Sequence, residues 1–74
     1  MDRFIDDLMM ELSLPRIRDL GAYILRVVAA SEGDIPVEGR LGDVGFCAHA
    51  LPDGGVRVYW VQMGRRRIRV GATI

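Results

Sequence analysis

The sequence lacks the cysteines for an internal disulfide, the pattern of a signal peptide and an apolar run long enough to span a membrane. It contains one cysteine in 74 residues, so no disulfide can form within the chain. Arg26 and Glu32 interrupt the longest apolar run before it reaches the roughly 20 residues of a membrane-spanning helix. Asp2, Asp6 and Asp7 lie where a signal peptide would carry positive charge. We therefore expect a cytoplasmic protein that does not enter a membrane.

The residues that commonly carry catalysis are also scarce. With one histidine and with Ser13, Ser31 and Thr73 as the only aliphatic hydroxyls, we expect no Ser-His-Asp set. The glycine-containing segments GDVG and PDGG lack the following helix that a phosphate-binding loop requires. These absences predict a protein that is not an enzyme and that uses no cofactor.

A metal site is the next possibility that the composition disfavours. On a strand, Asp43, Cys47 and His49 would point to one face, because alternate residues share a face. A Cys-x-His pair can share a zinc ion, but structural zinc takes four ligands and this set supplies two or three. Alternate strand residues also lie about 7 Å apart, too far for a histidine to activate a thiolate. We expect a small buried or half-buried thiol beside a solvated histidine, and no metal.

Charge is balanced in total but uneven along the chain. Residues 1–34 hold seven acids and four bases, and residues 35–74 hold three acids and six bases, so the halves carry net charges of −3 and +3. All ten bases are arginine, a side chain that contacts carboxylates and phosphates through two hydrogen bonds at once. A chain with this polarity can dock on an oppositely charged partner or on a second copy of itself.

Two helical patterns come first. Apolar residues at helical spacing predict one helix over about 3–12 and a second over about 15–31. Asp2 and Ser13 are the expected N-caps, and Gly33 is the expected C-terminal stop. Residues 33–42 predict a connecting loop, because three glycines and a proline break the pattern; within it, Ile35 and Val37 could form a short edge strand.

Strand patterns of period two follow, over about 43–51, 56–63 and 67–73. The segment Leu51–Gly54 matches a type I turn inside a three-residue hairpin loop, and this places Phe46 opposite Trp60. We expect an α+β fold, with two N-terminal helices packed on one face of a three-stranded antiparallel meander, as a single domain over residues 1–74. The expected core includes Leu20, Ile24, Val27, Phe46, Val58, Trp60, Ile68 and Val70.

The second hairpin turn is ambiguous. A three-residue loop, 64–66, would place Ile68 and Val70 on the core face, whereas a two-residue turn, 64–65, would reverse them. We choose the longer loop because it leaves Arg67 and Arg69 in water.

This register predicts an exposed sheet face that is apolar at its centre and rimmed by arginines. The expected partner-binding residues are Arg57, Tyr59, Val61, Met63, Arg65, Arg66, Arg67 and Arg69. Aromatic residues, Met and Arg are enriched at protein interfaces. We therefore expect a non-enzymatic protein-binding module or inhibitor, of a size that suits the small inhibitors encoded by phages and other mobile elements.

Two alternatives use the same face. It could form the seam of a homodimer, which a chain this small would use to extend its core. It could also bind nucleic acid, with Tyr59 and His49 stacking on bases and the Arg65–Arg69 region holding phosphates.

Overall fold

A computed structural model describes residues 2–31 and 35–74, with side chains from residue 3 onward. The elements are α1 (Asp2–Leu8), α2 (Leu14–Ala30), β1 (Val37–Leu41), β2 (Val44–Ala50), β3 (Val56–Met63) and β4 (Arg66–Thr73). The strands form one antiparallel sheet in the order β1-β2-β3-β4. The α+β class is confirmed, but the prediction of three strands is wrong because the described residues form a sheet of four.

The additional strand, β1, occupies half of the predicted loop 33–42 and begins at Val37, one of the two residues expected for a short edge strand. It pairs with β2 along its whole length, from Val37 opposite Ala48 to Leu41 opposite Val44. Gly39 is one of the three glycines that break the pattern in the sequence, and in the structure it has a packing role. A Cβ at this position would lie 2.7 Å from Cζ of the Phe46 ring, so glycine lets β1 lie over that ring. Predictions that concern residues 32–34, including Gly33 as the helix stop, lie outside the described residues.

The first helix is shorter than predicted. It ends at Leu8, after which the Glu11 and Leu12 amides donate to the Leu8 carbonyl in a tight turn. The second helix lies within one residue of the predicted range at each end. Ser13 occupies its N-cap with extended backbone, although its hydroxyl makes no capping hydrogen bond within the described part of the chain. The side chain of Asp2, the other predicted cap, lies outside the described residues.

The β2–β3 hairpin has the predicted turn. The Gly54 amide donates to the Leu51 carbonyl at 3.1 Å, and the Leu51 amide donates to the Gly55 carbonyl at 2.8 Å, which closes a three-residue loop. Beyond it, Ala50 pairs with Val56, and Ala48 pairs with Val58, as predicted. The prediction of Phe46 opposite Trp60 is wrong, because Phe46 pairs with Val61.

A β-bulge at Tyr59 causes this shift. Cys47 pairs with Trp60 and Ala48 with Val58, so Tyr59 is an extra residue in β3. The neighbouring strand β4 has a matching irregularity at Gly71, whose φ of 59° lies in the left-handed region that favours glycine. The insertion reverses the alternation of the last four residues of β3. Val61 therefore faces the helices and is fully buried, and Trp60 is half-buried on the opposite face.

The bulge also explains the second hairpin. Its turn has two residues, Gly64 and Arg65, with Met63 paired to Arg66, so the predicted three-residue loop is wrong. The predicted orientation of β4 is nevertheless confirmed, because Val61 faces inward and pairs with Ile68. The bulge and the shorter turn would each, alone, move the β4 side chains to the opposite face of the sheet. Together they cancel, so Ile68 stays on the core face.

The core lies between the helices and one face of the sheet. Of the eight expected core residues, five are buried and two, Val27 and Ile68, are partly buried against the core. Trp60 was wrongly assigned to it. Residues that complete the core include Phe4, Leu8, Ile17, Val44 and Val61. In the described ranges, no helix has the length and apolar character needed to cross a membrane.

Candidate functional site: the outer face of the sheet

The two helices pack on the same side of the sheet, α1 against β4 and α2 against β1 and β2. The opposite side, called the outer face below, is not covered by any described element. Two rows of side chains cross it, because strand partners share a face. The first row is Glu38, Cys47, Trp60 and Arg69, and the second row is Arg40, Gly45, Gln62 and Arg67.

Trp60 stands at the centre of the outer face. The guanidinium carbon of Arg67 lies 3.9 Å from the centre of the Trp60 ring, within the range of a cation–π contact. Arg67 Nε also donates to Gln62 Oε1 at 3.1 Å, and Gln62 Nε2 donates to the Gly64 carbonyl at 3.0 Å. This chain of contacts orients Arg67, Gln62 and the indole ring relative to one another.

Tyr59 contributes a second ring through the bulge. Its hydroxyl oxygen lies 3.5 Å from Nδ1 of His49, a partly buried contact between β3 and β2. Nε2 of His49 is buried and has no hydrogen-bond partner among the described residues. Arg57, which is exposed, is the strand partner of His49. The bulge therefore brings the rings of two consecutive residues, Tyr59 and Trp60, to the same outer surface.

Two depressions flank Trp60, which lines both. The first, of about 290 Å³, lies towards β1 and is lined by Glu38, Gly39, Arg40, Asp43, Gly45, Trp60, Gln62 and Gly64. The second, of about 530 Å³, lies towards β4 and is lined by Arg57, Tyr59, Trp60, Arg67, Arg69 and Gly71. The outer face is therefore not flat, and its aromatic centre separates a mixed-charge hollow from an arginine-lined one.

Four of the eight predicted partner-binding residues, Arg57, Tyr59, Arg67 and Arg69, line the second depression. For two others, the predicted position on the exposed face is wrong. Val61 is fully buried in the core, and Met63 packs against it from the helix side, so neither lies at the centre of the outer face.

The two remaining arginines lie away from this centre. Arg65 is in the β3–β4 turn. The Arg66 guanidinium forms an ion pair of 2.7 Å with Glu11, which follows α1. Sequence reasoning missed Glu38, Arg40 and Gln62 and placed Trp60 in the core, because the face on which these side chains lie depends on the bulge and on β1.

The thiol of Cys47 has little nucleophilic character. Burial raises the pKa of Cys47, and the negative charge of Glu38 raises it further, whereas Arg67 acts in the opposite direction. A raised pKa leaves the thiol protonated at neutral pH, and the thiolate is the reactive form. Within the described ranges, no three potential metal ligands lie together.

Comparisons with protein-family models, with curated proteins and with solved structures find no match to this chain.

Proposed function

We propose that the protein is a non-enzymatic binding module and that its outer face binds single-stranded nucleic acid. The observation that carries this proposal is the pair of neighbouring rings, Tyr59 and Trp60, among Arg57, Arg67 and Arg69 on a sheet face that no described helix covers. Unstacked bases have apolar faces that stack on aromatic side chains, and arginines hold the phosphates between them. The displacement of Val61 and Met63 into the core leaves this face aromatic and basic rather than aliphatic.

The experiment is a salt titration of binding to a fluorescein-labelled thymidine dodecamer, followed by fluorescence anisotropy. The association constant K falls as salt rises, so the slope of log K against log salt is negative. If Arg67 and Arg69 each contact a phosphate, R67A/R69A should make this slope less steep by about 1.4, since each single-strand contact contributes about 0.7. Tyr59→Ala should cost about 1–3 kcal/mol of binding free energy through lost stacking. Tyr59→Phe keeps the ring and should bind as the wild type does.

The matched control is R18A/R26A, which removes two exposed arginines of α2 and changes the net charge equally. It should leave the slope unchanged. An affinity that does not vary with salt, or an equal effect of the two double variants, would contradict the proposal.

A second candidate function is binding to a protein partner, which the sequence pattern favours. Its support is the composition of the outer face, since Trp, Tyr and Arg are the residues most enriched at binding hot spots. The partner would be a protein inhibited by this chain or a second copy of it, although Val61 and Met63 cannot contribute to a seam on this face. If the dodecamer does not bind at low salt while light scattering shows a dimer that W60A or Y59A dissociates, this candidate replaces the first.

A further inference from the structure

We propose that the depression beside Gly45 holds one base of the bound strand and selects guanine. This inference rests on the proposed function and goes beyond it, because stacking and phosphate contacts do not distinguish one base from another. The hollow is separate from the arginine-lined depression and shares only Trp60 with it. Selection requires polar groups that read the edge of a base, and this hollow contains them.

Three glycines, Gly39, Gly45 and Gly64, line the hollow, and Gly45 is the one that lies in a row of outer-face side chains. Gly45 lies between Arg40 of β1 and Gln62 of β3, which are its strand partners on either side. The missing side chain leaves a gap in the second row, with Trp60 of the first row as its wall. Its volume of about 290 Å³ is just below the usual range for ligand sites, about 300–1,000 Å³. It therefore suits a single planar ring system rather than a larger ligand.

Glu38 supplies the selective group. Its side chain is exposed at the hollow, and no hydrogen bond or ion pair joins it to another described residue. The second carboxylate, Asp43, is held by Arg16 at 2.9 Å. An ionised carboxylate only accepts hydrogen bonds, through two oxygens. Guanine is the one common base with two adjacent donors, N1–H and N2–H, on its Watson–Crick edge, so it alone matches this group.

Gln62 and Arg40 complete the recognition. Gln62 is already oriented by Arg67 and by the Gly64 carbonyl. Its amide can therefore contact the base at the rim without losing conformational entropy on binding. Arg40 is exposed at the β1 side of the hollow, where it can contact the phosphate of the bound nucleotide. Each side chain therefore has its own role: Trp60 stacks on the base, Glu38 hydrogen-bonds to its edge, and Arg40 contacts the phosphate.

The test uses thymidine nonamers whose central base is guanine, adenine, cytosine or thymine, with binding followed by fluorescence anisotropy at one salt concentration. We expect the guanine nonamer to bind about 5- to 150-fold more tightly than the others, the range for a bidentate base contact. Glu38→Gln should reduce this ratio to near 1, because its amide presents a donor where guanine also presents one.

Gly45→Ala tests the hollow itself. The added Cβ would have 3.7 and 4.0 Å contacts with the Gly39 carbonyl oxygen and Arg40 Cγ, which are ordinary van der Waals distances. The variant should therefore fold, while losing most of the guanine preference. Asp6→Asn is the matched control for Glu38→Gln, since Asp6 is an exposed carboxylate on α1. It should leave the ratio unchanged.

The outcomes separate the two proposals. Equal binding of all four nonamers, with a salt slope that R67A/R69A lowers, would overturn the guanine pocket and leave the binding function standing. A guanine preference that survives both Glu38→Gln and Gly45→Ala would also overturn it. If no nonamer binds, both proposals fail.

Discussion

Gly39 and Gly45 lie on neighbouring strands and have opposite relations to their surroundings. A Cβ on Gly39 would lie 2.7 Å from the ring of Phe46, which is fully buried and packs edge-on against Tyr23 with ring centres 6.0 Å apart. A Cβ on Gly45 would point to the open outer face. One glycine is thus required by close packing, and the other leaves a hollow in the surface.

Single substitutions should show this difference. We expect Gly39→Ala to lower the free energy of unfolding by about 1–3 kcal/mol, because the Phe46 ring or β1 must shift in a packed core. Gly45→Ala should be neutral or should stabilise by about 0.4–1 kcal/mol, since it restricts the unfolded chain without strain in the fold. Urea denaturation followed by circular dichroism gives both values. Equal destabilisation by the two substitutions would contradict the assigned packing.

Among the elements, α1 depends most on its tertiary contacts. A helix of seven residues has little stability by itself. Phe4 and Leu8 are fully buried and attach α1 to the sheet. The Glu11–Arg66 ion pair joins the same segments, but the side chain of Arg66 is 69% exposed. Burial rather than charge therefore holds α1 in place.

If burial holds α1 in place, removing a buried side chain should destabilise the protein more than removing the ion pair. Leu8→Ala should cost about 2–5 kcal/mol, which is comparable to the whole stability of a core this small, about 3–5 kcal/mol. Arg66→Ala should cost about 1 kcal/mol or less, since the Arg66 guanidinium is exposed and solvent screens its charge, although Glu11 is half-buried. Urea denaturation at low and moderate salt would measure both. A larger loss for Arg66→Ala than for Leu8→Ala would show that the ion pair dominates.

At the scale of the whole molecule, the fold places the arginines of the sheet and the acids of the helices on opposite sides. The basic half of the chain forms the sheet, whose outer face carries Arg40, Arg57, Arg67 and Arg69, whereas the exposed acids Asp6 and Asp19 lie on the helices on the other side. The shortest extent of the molecule is 19 Å, whereas charges are screened over about 8 Å at 0.15 M salt. A polyanion at the outer face is therefore shielded from the acids on the far side, in spite of the net charge of zero.

The layer separation predicts how distant acids affect binding. Asp6 and Asp19 are exposed on the helices. D6N/D19N should change the affinity for the thymidine dodecamer by less than about twofold at 0.15 M salt. At 0.01 M salt, where the screening length is about 30 Å, the same variant should bind more tightly than the wild type. Anisotropy titrations at the two concentrations measure this, and an equal gain at both would contradict the charge separation.

Local chemistry in the sequence determined the second helix, the order of helices before strands and the Leu51–Gly54 turn. Each of these depends on residues a few positions apart, such as an apolar stripe or a proline before a glycine. Tertiary structure decided β1 and the bulge at Tyr59, because a strand needs a partner and an inserted residue is defined only against the strand beside it. The bulge exchanged Trp60 and Val61 between the two faces. It thereby placed the indole ring of Trp60 beside Arg67 on the outer face and left Val61 to fill the core.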